Sequence, residues 1–226
     1  MIKIYKVSKG STIDFAAEEL KKYLRMMMPE CNDISVDYCP EAKDGFRLGV
    51  FSDFGINGEV EDLTFDDFLY AKCDSSGGVI AGINPRSVLL SVYEYFRQNG
   101  CRWLFPGVEG EYIPMQDVKP VKYRFKPSCR YRGQCNEGAE FQPNMMEAID
   151  FAPKVVMNVF MMEFFVPSYY HSYYTHTKNE MNRKPEPVTS NQILQWKRQC
   201  EAELAKRNLQ FHDIGHGFTS EPFGIL

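Results

Sequence analysis

The sequence predicts an α/β fold in two parts, a small α/β sandwich-type unit followed by an incomplete TIM barrel that holds about the first three βα units. Three observations lead there. Short runs with the two-residue alternation of strands are interleaved with longer segments whose apolar residues recur at helical spacing. Between Phe105 and Pro127 the texture changes and Pro and Gly cluster. Beyond that stretch, strand-like and helix-like segments alternate strictly and the strands are apolar, as in a parallel sheet covered on both faces.

Taken in order, IKIYKV is the first predicted strand, and STIDFAAEELKKYLRMMM follows as a helix through Ile13, Ala16, Ala17, Leu20, Leu24 and Met27, capped by Ser11 or Thr12. DISVDYC and FRLGVF read as strands, and FDDFLYAKCD and GGVIAGI as two more joined by a Ser-Ser-Gly-Gly turn. In NPRSVLLSVYEYFRQNG, Asn84 caps a helix, Pro85 takes its first position and Gly100 stops it. PGVEGEYIPMQDVKPVKYRFKP reads as an interdomain connection, so the expected domains are residues 1–125 and 126–226.

In the second part SCRYRGQC is strand-like, NMMEAIDFAPKVVMN is a helix that Pro153 bends or ends, and NVFMMEFF is an apolar strand. A long polar and aromatic loop leads to a helix opened by Thr189 with Gln192 at capping-box spacing, its stripe running through Ile193, Trp196, Cys200 and Leu204. LQFHDIGHGF is the third strand. Right-handed crossovers between such strands fit either an open doubly wound sheet or a (β/α) barrel. A complete barrel needs roughly 200 to 250 residues, so a barrel here is cut after its third strand.

Composition narrows the function classes. The chain has 226 residues, 44% of them hydrophobic, and a formal net charge of -4. That balance argues against a nucleic-acid partner or an anionic membrane surface, both of which need a basic excess. No apolar run approaches the ~20 residues of a membrane span, and the first residues lack the apolar core of a secretion signal. The expectation is a soluble protein, cytoplasmic as given and periplasmic or secreted if a signal peptide was removed. The seven cysteines are scattered without a CxxC pair and read as reduced thiols. GGVIAG lacks the spacing of a dinucleotide loop, and no G-x-S-x-G elbow occurs. No cofactor is expected.

The stretch GGVIAGINPRSVLLSVYEYFRQNGCRWLFPGVEGEYIP, with the AAEELKKYL helix before it, resembles the small α/β domain that precedes the barrel in α-glucuronidase-like glycoside hydrolases. The same domain type precedes the β-hexosaminidase barrel. The resemblance extends to an Arg-Gly pair in the first barrel strand, here Arg132 and Gly133, and to a Met-Asn opening the second, here Met157 and Asn158. It implies hydrolysis of O-glycosyl bonds once the barrel is complete. It also implies that the acid and base carboxylates belong to the fourth and later strands, which this chain does not contain, so it is expected to be inactive alone. The alternative is a non-catalytic carbohydrate-binding or interaction module with a degenerate barrel.

Glycoside hydrolysis needs a pair of carboxyl groups across the scissile bond. Glu163 at the end of strand two, Glu137 past strand one, and Asp213 and Glu221 around strand three are the carboxylates near strand ends; Glu163, closing an apolar run, is assigned to substrate binding before acid catalysis, and the catalytic residues remain unassigned. Arg132 can grip sugar hydroxyls or a uronic carboxylate through its planar fork, and by resemblance it holds the innermost sugar; the competing role is an interdomain salt bridge, and Arg130 shares its parity. On a strand, His212 and His216 share a face with Ile214 and point into the barrel while Phe211 faces the helices. His216 is the sugar-contact candidate, His212 a core histidine, and no third ligand completes a metal site. Tyr169, Tyr170, Tyr173 and Tyr174 lie in one loop; Tyr170 and Tyr173 are the candidates for stacking on pyranose rings. A carbohydrate substrate is the expected partner, and an open barrel edge is expected to favour self-association.

Overall fold

Residues 1–31, 33–136, 142–162 and 188–213 are described by a computed structural model of the chain. The first unit runs β1 (Ile2–Lys6), α1 (Ser11–Met27), β2 (Ile34–Tyr38), β3 (Phe46–Val50), β4 (Leu69–Asp74), β5 (Gly77–Gly82), α2 (Pro85–Gln98), β6 (Arg102–Trp103), β7 (Glu111–Tyr112) and β8 (Val121–Phe125). Six of these strands form one sheet in the order β2-β1-β3-β5-β4-β8. Within it β2, β1, β3 and β5 are parallel, and β4 is antiparallel to both of its neighbours. Strand alternation turns Ile4, Phe46, Leu48, Ala71 and Ile80 toward α1 and α2, where they are buried with Ile13, Leu20, Leu24, Val88 and Val92. Tyr23, Tyr93 and Trp103 close the core in edge-to-face contacts with ring centroids 5.3 to 6.2 Å apart.

Two expectations change. The cap of α1 is Gly10, at φ 130°, and no side chain caps the helix. Glycine alone reaches that backbone conformation without steric cost, so the turn out of β1 sets the start of the helix and Ser11 becomes its first residue. The segment read as a connection is part of the first sheet: β8 pairs with β4 from Val121↔Cys73 to Phe125↔Leu69. Its Pro and Gly mark turns around short strands. At α2 the expectation holds, since Asn84 Oδ1 accepts the Ser87 N–H at 2.9 Å. The Asn84 amide also donates to Leu63 O and Asp66 O at 2.9 and 2.8 Å, tying the loop before β4 to the helix start.

The second unit runs β9 (Gly133–Asn136), α3 (Gln142–Lys154), β10 (Val159–Met162), α4 (Ser190–Lys206) and β11 (Gln210–Asp213). Its strands are parallel and adjacent in chain order, β9-β10-β11, as in the opening of an α/β partial barrel. Pro153 lies in the last turn of α3, and Thr189 and Gln192 form the capping box at α4. Met145, Ile149 and Ala152 of α3, Cys200 and Leu204 of α4, and Phe160 and Met162 of β10 bury one another in a second core. Among the described residues no helix is long and apolar enough to cross a membrane.

The units meet through helices, α1 against α4 and α2 against α3. Charges are sealed into that junction. Lys154 Nζ donates to Glu111 at 2.6 Å and to Asp150 at 2.5 Å, Arg207 donates to Asp150 at 2.7 Å, and the Tyr23 hydroxyl donates to Glu111 at 2.7 Å. Burial pushes the Asp150 carboxyl up, but the charges and hydrogen bonds of Lys154 and Arg207 outweigh burial and hold it below its ordinary value.

Lys154 and Glu111 are both almost fully buried, so Lys154→Ala leaves buried carboxylate without its partner and is expected to cost about 3–5 kcal/mol, read as a lower urea midpoint. Because the Asp150 carboxyl titrates lower in the folded chain than in the unfolded one, its contribution is complete above pH ~4 and is lost as pH falls through the folded value. Stability measured across the acid range should therefore decline less steeply in Asp150→Asn than in the wild type.

Candidate functional site

In a parallel sheet with helical crossovers, binding groups collect beyond the carboxyl ends of the strands. Register sets those ends level: Asn136 pairs with Met162, and Met162 with Asp213. One face of the sheet turns Phe160 and Met162 into the second core, with Phe211 packed beside them. Cys135, Met161 and His212 pair across the other face. Cys135 is exposed and Met161 and His212 are half-buried. The His212 ring meets Tyr131 edge-on at 6.4 Å, so His212 lies on the open side of the sheet and not in the helix-side core. Asn136 steadies the rim, accepting from Gln134 Nε2 at 3.1 Å and donating to Met161 O at 3.2 Å.

Glu137, Glu163, Tyr169, Tyr170, Tyr173, Tyr174, His216 and Glu221 lie outside the described residues, as does the side chain of Asp213. Glu137 and Glu163 are the residues that follow Asn136 and Met162 in the chain. Among the described residues, no group of three or more His, Cys, Asp or Glu is placed to hold a metal ion.

The opposite, amino-terminal end of the strands is a closed polar cluster, and Arg132 belongs to it. Its guanidinium donates to Asp67 Oδ2 at 2.6 Å, to Val156 O at 2.8 Å, to Cys129 O at 2.7 Å and to Arg130 O at 3.1 Å. The expectation that Arg132 grips a sugar is corrected here. It precedes β9, four of its five guanidinium N–H groups are directed at protein oxygens, and it faces the first unit from the end of the sheet remote from the strand carboxyl ends. The interdomain ion pair is the role the geometry supports. Arg130 does likewise, pairing with Asp66 at 2.6 Å and Glu61 at 2.8 Å. The Arg130 hydrogen bond is the main cause that holds the Asp66 carboxyl below its ordinary value.

Asp67 is the centre of the cluster and is 2% exposed. Its Oδ1 accepts from Arg86 Nε at 2.9 Å and the Ser87 hydroxyl at 2.8 Å; its Oδ2 accepts from Arg132 and from Asn158 Nδ2 at 2.8 Å. Asn158 is fully buried, donates also to Arg130 O at 2.7 Å and accepts the Arg132 N–H at 2.9 Å. Gly133, the partner of Arg132 in the Arg-Gly pair, is required by packing: a Cβ there would lie 2.3 Å from Val159 O. Sequence reading missed Asp67 and Arg86. A signal existed, since Arg86 is a cation in the first turn of a helix, where the dipole disfavours it unless a carboxylate is near.

No protein-family model matches the chain, and no curated protein matches it. Solved structures do. The GH20 β-N-acetylhexosaminidase from Streptomyces coelicolor A3(2) superposes with a TM-score of 0.57 at 13% identity, covering 95% of this chain and 41% of that one. A GH138 enzyme targeting pectin rhamnogalacturonan II gives a TM-score of 0.54 at 13% identity, covering 99% of this chain and 33% of that one. The fold is glycoside hydrolase-like. At this identity the likeness shows fold alone, and the chain spans less than half the length of either structure.

Asp67→Ala strands two guanidinium groups, one of them on the nearly buried Arg86, and is expected to lower unfolding free energy by about 3–5 kcal/mol. Glu61→Ala removes an exposed partner of Arg130 and should change it by no more than ~0.5 kcal/mol. Parallel denaturant titrations of the two variants test the contrast.

Proposed function

We propose that this chain serves a glycoside hydrolase that cleaves O-glycosyl bonds of a glycan, with residues 1–125 as the supporting α/β domain and residues 126–226 as the first βα units of the catalytic barrel. The observation that carries the reading is the order of the two units over nearly the whole chain. A mixed sheet with helices on its barrel side is followed directly by parallel strands in chain order, as in the GH20 structure at TM-score 0.57.

In this reading the remaining barrel strands come from a longer polypeptide and bring the acid and base with them. Glu163 binds substrate at the end of the second strand, His216 contacts the sugar from beyond the third, and Tyr170 and Tyr173 form an aromatic wall on which pyranose rings stack. The finer assignment, an α-glucuronidase-like preference for uronic sugars, draws on the sequence resemblance around residues 78–114. Arg132 contributes by holding β9 and β10 against the first unit, which keeps strand ends level, and not by touching sugar.

The test is turnover by the full-length gene product on a panel of aryl glycosides and glucuronosyl oligosaccharides. Glu163→Gln is expected to lower kcat/KM at least tenfold, equivalent to ~1.4 kcal/mol. Unchanged kinetics would remove Glu163 from the site. Sugar binding without turnover of any substrate would replace the enzyme reading with a binding module.

A further inference from the structure

The long helices α1 and α2 cover one face of the six-stranded sheet, and the other face carries a basic pocket whose lining residues all belong to the first unit. Register places Tyr5, Arg47, Val79, Lys72 and Lys122 in one row across five strands. Residues in such a row project from the same side of the sheet. At the middle of the row, at Arg47, Val79 and Lys72, opens a concave pocket of about 750 Å³ that Lys3, Lys43 and Tyr70 also line.

Two acids, Asp44 and Asp74, also line the pocket. Asp44 pairs with Lys3 at 3.4 Å, and Asp74 closes the β4–β5 turn by accepting from the Ser76 N–H at 2.7 Å and the Ser76 hydroxyl at 2.6 Å. Lys43 and Lys72 are exposed and Arg47 is half-buried. The Nε of Arg47 is shielded from solvent and has no hydrogen-bond acceptor. The Arg47 guanidinium is therefore held at the pocket wall without a carboxylate of the protein among the described residues paired to it.

We propose that this pocket binds an acidic oligosaccharide, with its carboxylates held by Arg47 and Lys72 and a sugar ring against Tyr70. Arg47 and Lys72 are separated by the one residue Val79 in the row, which sets their backbones about 10 Å apart at two interstrand spacings. That span suits an extended ligand with charge distributed along it. The guanidinium fork matches a carboxylate, and the tyrosine face suits a pyranose ring. A nucleic acid is a poorer fit because the net charge of -4 opposes a long polyanion. The basic pocket stands on its own geometry, and only the choice of a glycan rests on the glycoside hydrolase reading.

Calorimetric titration of the full-length protein with trigalacturonate, its methyl ester and inorganic sulfate separates the outcomes. The acid should bind, the neutral ester at least tenfold more weakly, and sulfate more weakly than the acid, with affinity falling as salt rises. Arg47→Ala and Lys72→Ala should each weaken the acid at least tenfold, and Lys72, being exposed, can be replaced without disturbing the fold. Equal binding of acid and ester, unchanged affinity in both variants, or no binding overturns the pocket. Sulfate binding as tight as the acid overturns the glycan assignment. Turnover measured on the same samples keeps the two readings apart: a hydrolase that does not bind trigalacturonate loses the pocket, whereas binding with no turnover keeps the pocket and removes the enzyme.

Discussion

The architecture depends on one buried carboxylate. Asp67 accepts four hydrogen bonds, from Arg86 and Ser87 of its own unit and from Arg132 and Asn158 of the next. A buried charge is tolerated only where partners replace the water it has lost, so the loop before β4, the start of α2 and the approaches to β9 and β10 must arrive together. Each donor is fixed in turn: Arg86 also reaches the Thr64 and Phe65 carbonyls, and Asn158 bridges to the Arg132 N–H and the Arg130 carbonyl. The sheet of the second unit is thereby aimed by groups of the first.

This gives the two ends of β9–β11 different tasks. At the amino-terminal end the arginines are consumed by Asp67, Asp66 and backbone carbonyls, which makes that end rigid and leaves it little capacity for ligand. At the carboxyl end, register alone brings Asn136, Met162 and Asp213 level. Lys154, Asp150, Glu111 and Arg207 add a second electrostatic clamp between the helices, so the units are joined both at the strand starts and along the helix layer.

The first sheet shows the same asymmetry in another form. Its helix-side face is filled by buried aliphatic and aromatic groups. Its outer face carries Arg47, Lys72, Lys122 and Arg124 with Tyr5 and Tyr70, interrupted by Gly49, Gly77, Val79 and Ala81.

Local signals determined much of the fold. Helical spacing placed α1, α2 and α4, Asn84 and Thr189 marked their caps or boxes, Pro153 ended α3, and apolar strands between helices announced a parallel sheet, because each of these is set by neighbours in sequence. The sequence also carried Arg132, Gly133 and Asn158 as a pattern without revealing their use. For Arg132 and Asn158 that use is decided by Asp67, 65 and 91 positions away, and for Gly133 by Val159 on the next strand; only tertiary structure brings such groups together. The same holds for β8, which reads as a connection until β4 offers it an edge, and for the basic row, whose members are consecutive only across strands. Periodicity is a local property and was legible; long-range pairing depends on which distant segments the buried charge and the sheet order bring together.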